Sequence, residues 1–263
     1  MDSLDLHLTK AVYNAVNSNN ITKEIPNMFG LLPYELYVIP GMFISILQVV
    51  WKDDFDPITF HLLPHFMAYS LFQMLKHNIT RKRPGCFNKA IATYIDSSHC
   101  SKKSALQSFP SGHTGVAFAL ATALYLQMNK KNPVFFGVAV SKKTAKIISW
   151  VGFVVALMTS LHRISKGYHS VFDVLAGALL GSSIGYIMWS VGNKCQKKFE
   201  EMCEKDKKNE VCNKQESKLD LMGELQQPVD RKKLMKLTIT LPVLFLMYRF
   251  LRNDLWKLAT IKH

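Results

Sequence analysis

Six apolar blocks, most of them long enough to cross a bilayer, constrain this chain more than any other feature. They are Leu31–Trp51, Ile58–Leu75, Gly112–Met128, Thr144–Leu161, Val171–Val191 and Leu234–Leu251, with lysine-rich connectors between them. A helix rises about 1.5 Å per residue, so roughly 17 to 25 residues cross the hydrocarbon core. Val171–Val191 is the clearest span, carrying a single charge, Asp173, at its start. Leu31–Trp51 holds Glu35 and Pro40, and its ends are drawn less sharply. Helices of a soluble bundle are apolar along one stripe. Ser149–Leu161 and Val174–Met188 are apolar nearly all round. The expected fold class is therefore all-α, an integral-membrane helical bundle with about six transmembrane helices.

Ahead of the blocks, Leu4, Leu8, Val12 and Val16 recur at helical spacing and predict an amphipathic helix lying on the membrane surface. The run Asn17-Ser18-Asn19-Asn20 is expected to end it. Asp2, Asp5 and His7 interrupt the start, which lacks the apolar core of a cleavable signal peptide. The segment 193–233 holds 11 of the 33 Lys and Arg and 9 of the 19 Asp and Glu residues. Mixed charge at that density reads as a solvated helix or a disordered loop. Cys195, Cys203 and Cys212 lie in it without the close pairing of a zinc site. Four parts follow: an interfacial helix and linker (1–30), a membrane core (31–192), a charged connector (193–233), and a last span with its tail (234–263).

Three polar signatures touch the ends of the apolar blocks. They are Lys76-x6-Arg83-Pro84, Pro110-Ser111-Gly112-His113, and Arg163-x5-His169-x3-Asp173. Six crossings return all three to the membrane face that carries the N-terminus, as one shared site requires. Lys76, Arg83 and Arg163 suit a phosphoryl dianion, whose transition state spreads charge over its equatorial oxygens. Arg pairs with two oxygens at once and Lys supplies a point charge. Ser111 is placed to cap a helix, and Gly112 lets the backbone of that N-terminus approach an anion. His113 falls in the first turn, aimed at the same place.

His169 and Asp173 share a helix face, four residues apart. There the carboxylate can take a proton from one ring nitrogen and leave the other to attack phosphorus. The alternative is a metal pair, but a divalent-metal phosphatase wants several carboxylates. Between Lys76 and Pro110 the sole acid is Asp96. No metal and no cofactor are expected. Arg81, Lys82, Lys89, Lys102 and Lys103 fall outside the signatures and read as attraction for an anionic headgroup.

These residues resemble the type 2 phosphatidic acid phosphatase superfamily, whose signature is K-x6-RP, PSGH and SR-x5-H-x3-D. The resemblance covers at least Lys76–Asp173, and six spans suit the family's membrane form. It implies that His169 becomes a phosphohistidine, that Asp173 orients it, and that His113 protonates the leaving oxygen. It further implies that Lys76, Arg83, Arg163, Ser111 and the Gly112 N–H hold the phosphoryl oxygens, with no metal. One residue departs: His162 stands where the family has Ser, although Ser160 lies two residues earlier.

The substrate class implied is a lipid phosphate or diphosphate: phosphatidate, lysophosphatidate, a sphingoid-base phosphate or a polyprenyl diphosphate. A lipid phosphotransferase or a sugar-phosphate phosphatase would use the same site. A non-catalytic membrane scaffold is the alternative of another class, and a vanadate-using haloperoxidase is disfavoured because its relatives are soluble. The expected partners are that substrate and the bilayer, with no nucleic acid and with room for a homo-oligomer. Of the Lys and Arg residues, 15 fall on the site's face and 18 on the other. The connector with Lys130, Lys131, Lys142 and Lys143 contains no acid. By the positive-inside rule the site then faces a lumen, a periplasm or the outside. Cys86 and Cys100 could pair there, and Asn20-Ile21-Thr22 would be a glycosylation acceptor in a eukaryotic host.

Overall fold

The computed structural model describes residues 3–19, 41–47, 58–88, 90–91, 100–101, 103–136 and 138–208. Five helices organise them: α1 (Ser3–Asn17), α2 (Leu63–Asn78), α3 (Gly112–Met128), α4 (Lys142–Ser165) and α5 (Val171–Lys208). Ile58–Leu62 forms a π-turn that leads into α2. Pro64 near the start of α2 has no N–H to give to the turn before it, which accounts for the widened turn. Of the first expected span only 41–47 is described, as helix, and Leu234–Leu251 and Asn20–Thr22 lie outside the described residues.

Helix α3 is the centre, packed against α2, α4 and α5. Its buried residues, among them Val116, Ala119, Leu120, Ala123 and Leu124, lie on every side of it, as expected of a helix apolar all round. Helix α5 crosses it closely. A Cβ at Gly181 would stand 2.0 Å from the Gly115 carbonyl oxygen, and one at Gly185 would stand 2.3 Å from that of Ala119. Only a side chain of one hydrogen lets these two backbones meet, the packing device of helices in lipid. The contact fixes where the start of α5 sits relative to the start of α3.

Lys142–Ser165 and Val171–Lys198 are long and apolar enough to cross a membrane, at 24 and 28 residues. Their outer faces carry Ile147, Trp150, Val151, Val154 and Leu157 on α4, and Leu175, Leu179, Ile187 and Val191 on α5, all exposed. An apolar surface of that extent suits lipid and not water. Between α3 and α4 lies an apolar cavity of about 320 Å³, lined by Ala117, Leu120, Ala121, Leu124, Val151 and Val155 among others.

The structure adds detail to three expectations. The all-α fold class omits a two-stranded antiparallel hairpin, β1 (Val134–Phe135) with β2 (Val138–Ala139), where β-branched and aromatic residues occupy the connector before α4. The first part of the charged connector is helix, because α5 continues to Lys208, which is the solvated-helix reading of that segment. Lys, Glu, Gln and Met are good helix formers there, and Lys197 and Glu201 stand one turn apart. Helix α1 forms and ends at Asn17 as expected, and it meets the protein through Asp5, Thr9 and Tyr13. Leu4 and Leu8 face outward, 60% and 38% exposed.

Candidate active site

Backbone pairing brings the three signatures together. Residues 81–83 run alongside 105–108: Arg81 N–H donates to Leu106 O (2.7 Å), Arg83 N–H to Ala105 O (2.9 Å), and Ser108 N–H to Arg81 O (3.0 Å). Gly85 N–H donates to Gly167 O, and Ser111 N–H donates to Asp173 O, both at 3.0 Å. Gly167 holds the turn from α4 to α5 at φ +69°, and a Cβ there would stand 2.7 Å from Ile91 O, so only glycine fits. A disulfide joins Cys86 to Cys100, with Cα atoms 5.4 Å apart, and ties down the Arg83 loop. Helices α2 and α4 thus end, and α3 and α5 begin, at one face. The expected convergence is present in the described residues.

His169 is fully buried, and its Nδ1 lies 2.7 Å from the Ser108 carbonyl oxygen. A carbonyl can only accept, so Nδ1 carries the proton and Nε2 the lone pair. Nε2 has no hydrogen-bond partner among the described residues. Burial is the main force holding the His169 imidazole well below its ordinary pKa, and Asp173 opposes it. The charges of Arg83, Arg163 and Lys76 act in the same direction as burial. Burial and the neighbouring cations thus favour the neutral ring.

Asp173 was expected to take the ring proton itself. Its Oδ2 stands 3.8 Å from Nδ1, farther than the Ser108 carbonyl. That oxygen accepts instead from Ser108 Oγ (2.5 Å) and Ser170 N–H (2.9 Å). Oδ1 accepts from Arg81 (2.7 Å). Ser108 thus touches both groups, its carbonyl oxygen accepting from the ring and its hydroxyl donating to the carboxylate.

The cations surround this pair. The Arg163 guanidinium lies 4.4 Å and that of Arg83 5.4 Å from the centre of the Tyr168 ring, so one aromatic residue registers both. Arg83 also donates to Tyr168 O at 3.4 Å. A Cβ at Gly112 would stand 3.1 Å from Lys76 Nζ, so the ammonium lies against the start of α3. His113 is exposed at that N-terminus and lies in the field of Arg163, Lys76, His169 and Arg83. Ser111 occupies the N-cap position without capping: its hydroxyl pairs with Thr114 Oγ1 at 2.9 Å. The Ser111 side chain makes no capping hydrogen bond to the first turn of α3, whose leading N–H groups lack carbonyl partners within the helix.

His162 is buried at the end of α4, and its Nδ1 has no partner among the described residues. Ser160 donates to Ala156 O on its own helix, so it does not replace the missing serine. Two residues escaped the sequence-based assignment. Ser108 lies outside all three signatures, although its place two residues before Pro110 is a faint signal. Arg81 reads from the sequence as attraction for an anionic headgroup, and the structure sets it between Asp5 and Asp173.

A model of the PAP2 superfamily matches residues 59–197. A lipid A 1-phosphatase of Porphyromonas gingivalis is 37% identical over 81 residues, covering 31% of this chain and 15% of that protein. A PA-phosphatase related-family protein of Dictyostelium discoideum is 28% identical over 139 residues, 52% of this chain and 49% of that one. The chain therefore spans at most about half the length of these two relatives. No solved structure matches.

Proposed function

This chain belongs to the PAP2 superfamily, and from that premise we propose that it is a metal-independent phosphatase of a membrane lipid phosphate or diphosphate. The observation that carries the proposal is His169: one ring nitrogen held by Ser108 O, the other bare, with arginines and a lysine around it. Nε2 attacks phosphorus as the P–O bond to the lipid breaks, and His113 delivers a proton to the leaving oxygen. Lys76, Arg83 and Arg163 balance the phosphoryl oxygens, helped by Ser111 and the Gly112 N–H. Water then attacks phosphorus with His113 as base, the P–N bond breaks, and phosphate leaves with His169 neutral again.

Two features favour a lipid over a soluble sugar phosphate. The relative from Porphyromonas gingivalis is a lipid A 1-phosphatase by name. The apolar cavity between α3 and α4 begins at Ala117, one turn beyond His113. We place the protein in the membrane as a multi-pass bundle, with the outward Leu4 and Leu8 stripe of α1 against lipid. The Cys86–Cys100 disulfide supports a site facing a lumen, periplasm or exterior, where such bonds persist.

Phosphate release from a panel of lipid phosphates and diphosphates in detergent tests the proposal. Turnover is expected to survive EDTA and to vanish in His169→Ala. Loss on chelation, or an active His169→Ala protein, would overturn the mechanism. Labelling of Cys195, a free and exposed thiol, in sealed vesicles reports which face the opposite end occupies.

A further inference from the structure

Helix α1 lies outside the residues that the family model matches, yet it reaches the site. Asp5 is fully buried. Its Oδ1 accepts from Phe172 N–H (3.1 Å) at the start of α5, where Thr9 Oγ1 accepts from Val171 N–H (3.0 Å). Its Oδ2 takes one end of the Arg81 guanidinium, whose other end holds Asp173 Oδ1 at 2.7 Å. Arg81 lies over the Phe109 ring, 5.7 Å from its centre. A chain of charge-assisted contacts therefore runs from Asp5 through Arg81 and Asp173 to Ser108, and Ser108 O holds His169.

We propose that Asp5 is a positioning residue for the active site, acting through Arg81 to hold Asp173 and the first turn of α5. The physical argument starts from cost. Burying a carboxylate costs several kcal/mol unless its partners are well placed, and α1 has Leu4 and Leu8 available for plain apolar docking. It buries the carboxylate instead. The guanidinium is a rigid planar fork, so fixing one end at Asp5 fixes the angle at which the other meets Asp173. Asp5 also balances Arg81, which otherwise would carry a second uncompensated demand on Asp173 and compete with the site's cations for phosphate.

This inference rests on the phosphatase proposal, and the experiment separates the two. The 263-residue chain in detergent is assayed for phosphate release by the wild type and by Asp5→Asn, Asp5→Ala, Arg81→Ala, Thr9→Ala and Asp5→Ala/Arg81→Ala. Asp5→Asn keeps an oxygen for the Phe172 N–H and loses only the charge, so it decides the matter if Asp5→Ala fails to fold. The expected loss in kcat is roughly 10- to 100-fold for either Asp5 variant, as for other residues that orient a catalytic group, with KM changed less than about twofold. Thr9→Ala, which removes the contact to Val171 and the long 3.4 Å hydrogen bond to Asp5 Oδ1 but not the Arg81 link, keeps at least about half of kcat. The double variant is no slower than Arg81→Ala, since the two residues act as one unit. Wild-type kcat in Asp5→Asn, an equal loss in Thr9→Ala, or additive losses in the double variant would overturn the inference alone. A wild type silent on every substrate would overturn the phosphatase proposal and this inference with it.

Discussion

At its N-terminal end α3 meets Lys76, Arg163, His169 and Asp173. At its C-terminal end, Leu124 and Met128 meet Phe60 and Ala145, with the partly buried Phe135, Phe136 and Trp189 packed around them. The first end is held by directional contacts between residues far apart in the chain, such as Ser108 to Asp173 and Arg81 to Asp5. The second is held by ring contacts, Phe60 to Phe136 at 5.5 Å and Phe135 to Phe136 at 4.8 Å. Aromatic packing tolerates small shifts, whereas a hydrogen bond to a nucleophile does not. One end of the helix should therefore govern rate and the other stability.

The sharpest way to break that contrast is His169→Ala, for which phosphate release should fall at least ~1000-fold while the melting temperature stays near wild type. Next is Gly181→Val, since a side chain there has to push α5 off the Gly115 carbonyl. A shift of about 1 Å between His169 and His113 should cost roughly 100-fold in kcat, read on the protein that remains folded. At the aromatic end, Phe60→Ala should cost about 3–5 kcal/mol of stability, seen in the thermal midpoint, while the folded fraction keeps its kcat. A rate loss there as large as that of Gly181→Val would erase the distinction between the ends.

Two smaller effects refine it. Cys86→Ser, which opens the loop closed by the disulfide, should lower stability by about 3 kcal/mol on the chain-entropy account, and dithiothreitol should mimic it. The last effect is a pH dependence of stability. His169 has a folded pKa below its ordinary value, so the unfolded chain binds more protons as pH falls through about 6.5. Stability from this group is present above that pH and is lost below it, by roughly 1 kcal/mol between pH 7 and 5.5. In His169→Ala the thermal midpoint should lose that part of its slope.

Much of this was legible in the chain itself. Apolar periodicity marks α3, α4 and α5, because a helix without a polar face is visible in composition alone. Motif spacing puts His169 and Asp173 on one face and Gly112 and His113 in one first turn, since those relations are local. The amphipathic pattern of α1 locates the helix and its outward Leu4 and Leu8 face, while the docked Asp5, Thr9 and Tyr13 stripe carries no apolar signal. Hydrophobicity ranks leucine as the buried residue, and in a membrane setting the outward face is the apolar one. Arg81 looked like a surface cation because both of its acids are remote, 76 and 92 residues away.

The sequence by itself determined the described helices α1 to α5, the order of the three signatures, and the chemistry that those side chains can perform. These follow from spacing along a helix and from the functional groups present. The tertiary structure alone decided that Ser108 rather than Asp173 receives the His169 proton contact, that Cys86 meets Cys100, and that α1 contributes Asp5. Each of these joins segments separated by other elements. Their partners are selected by where the glycine-tight crossing of α3 and α5 sets the backbones, a relation that no local pattern carries.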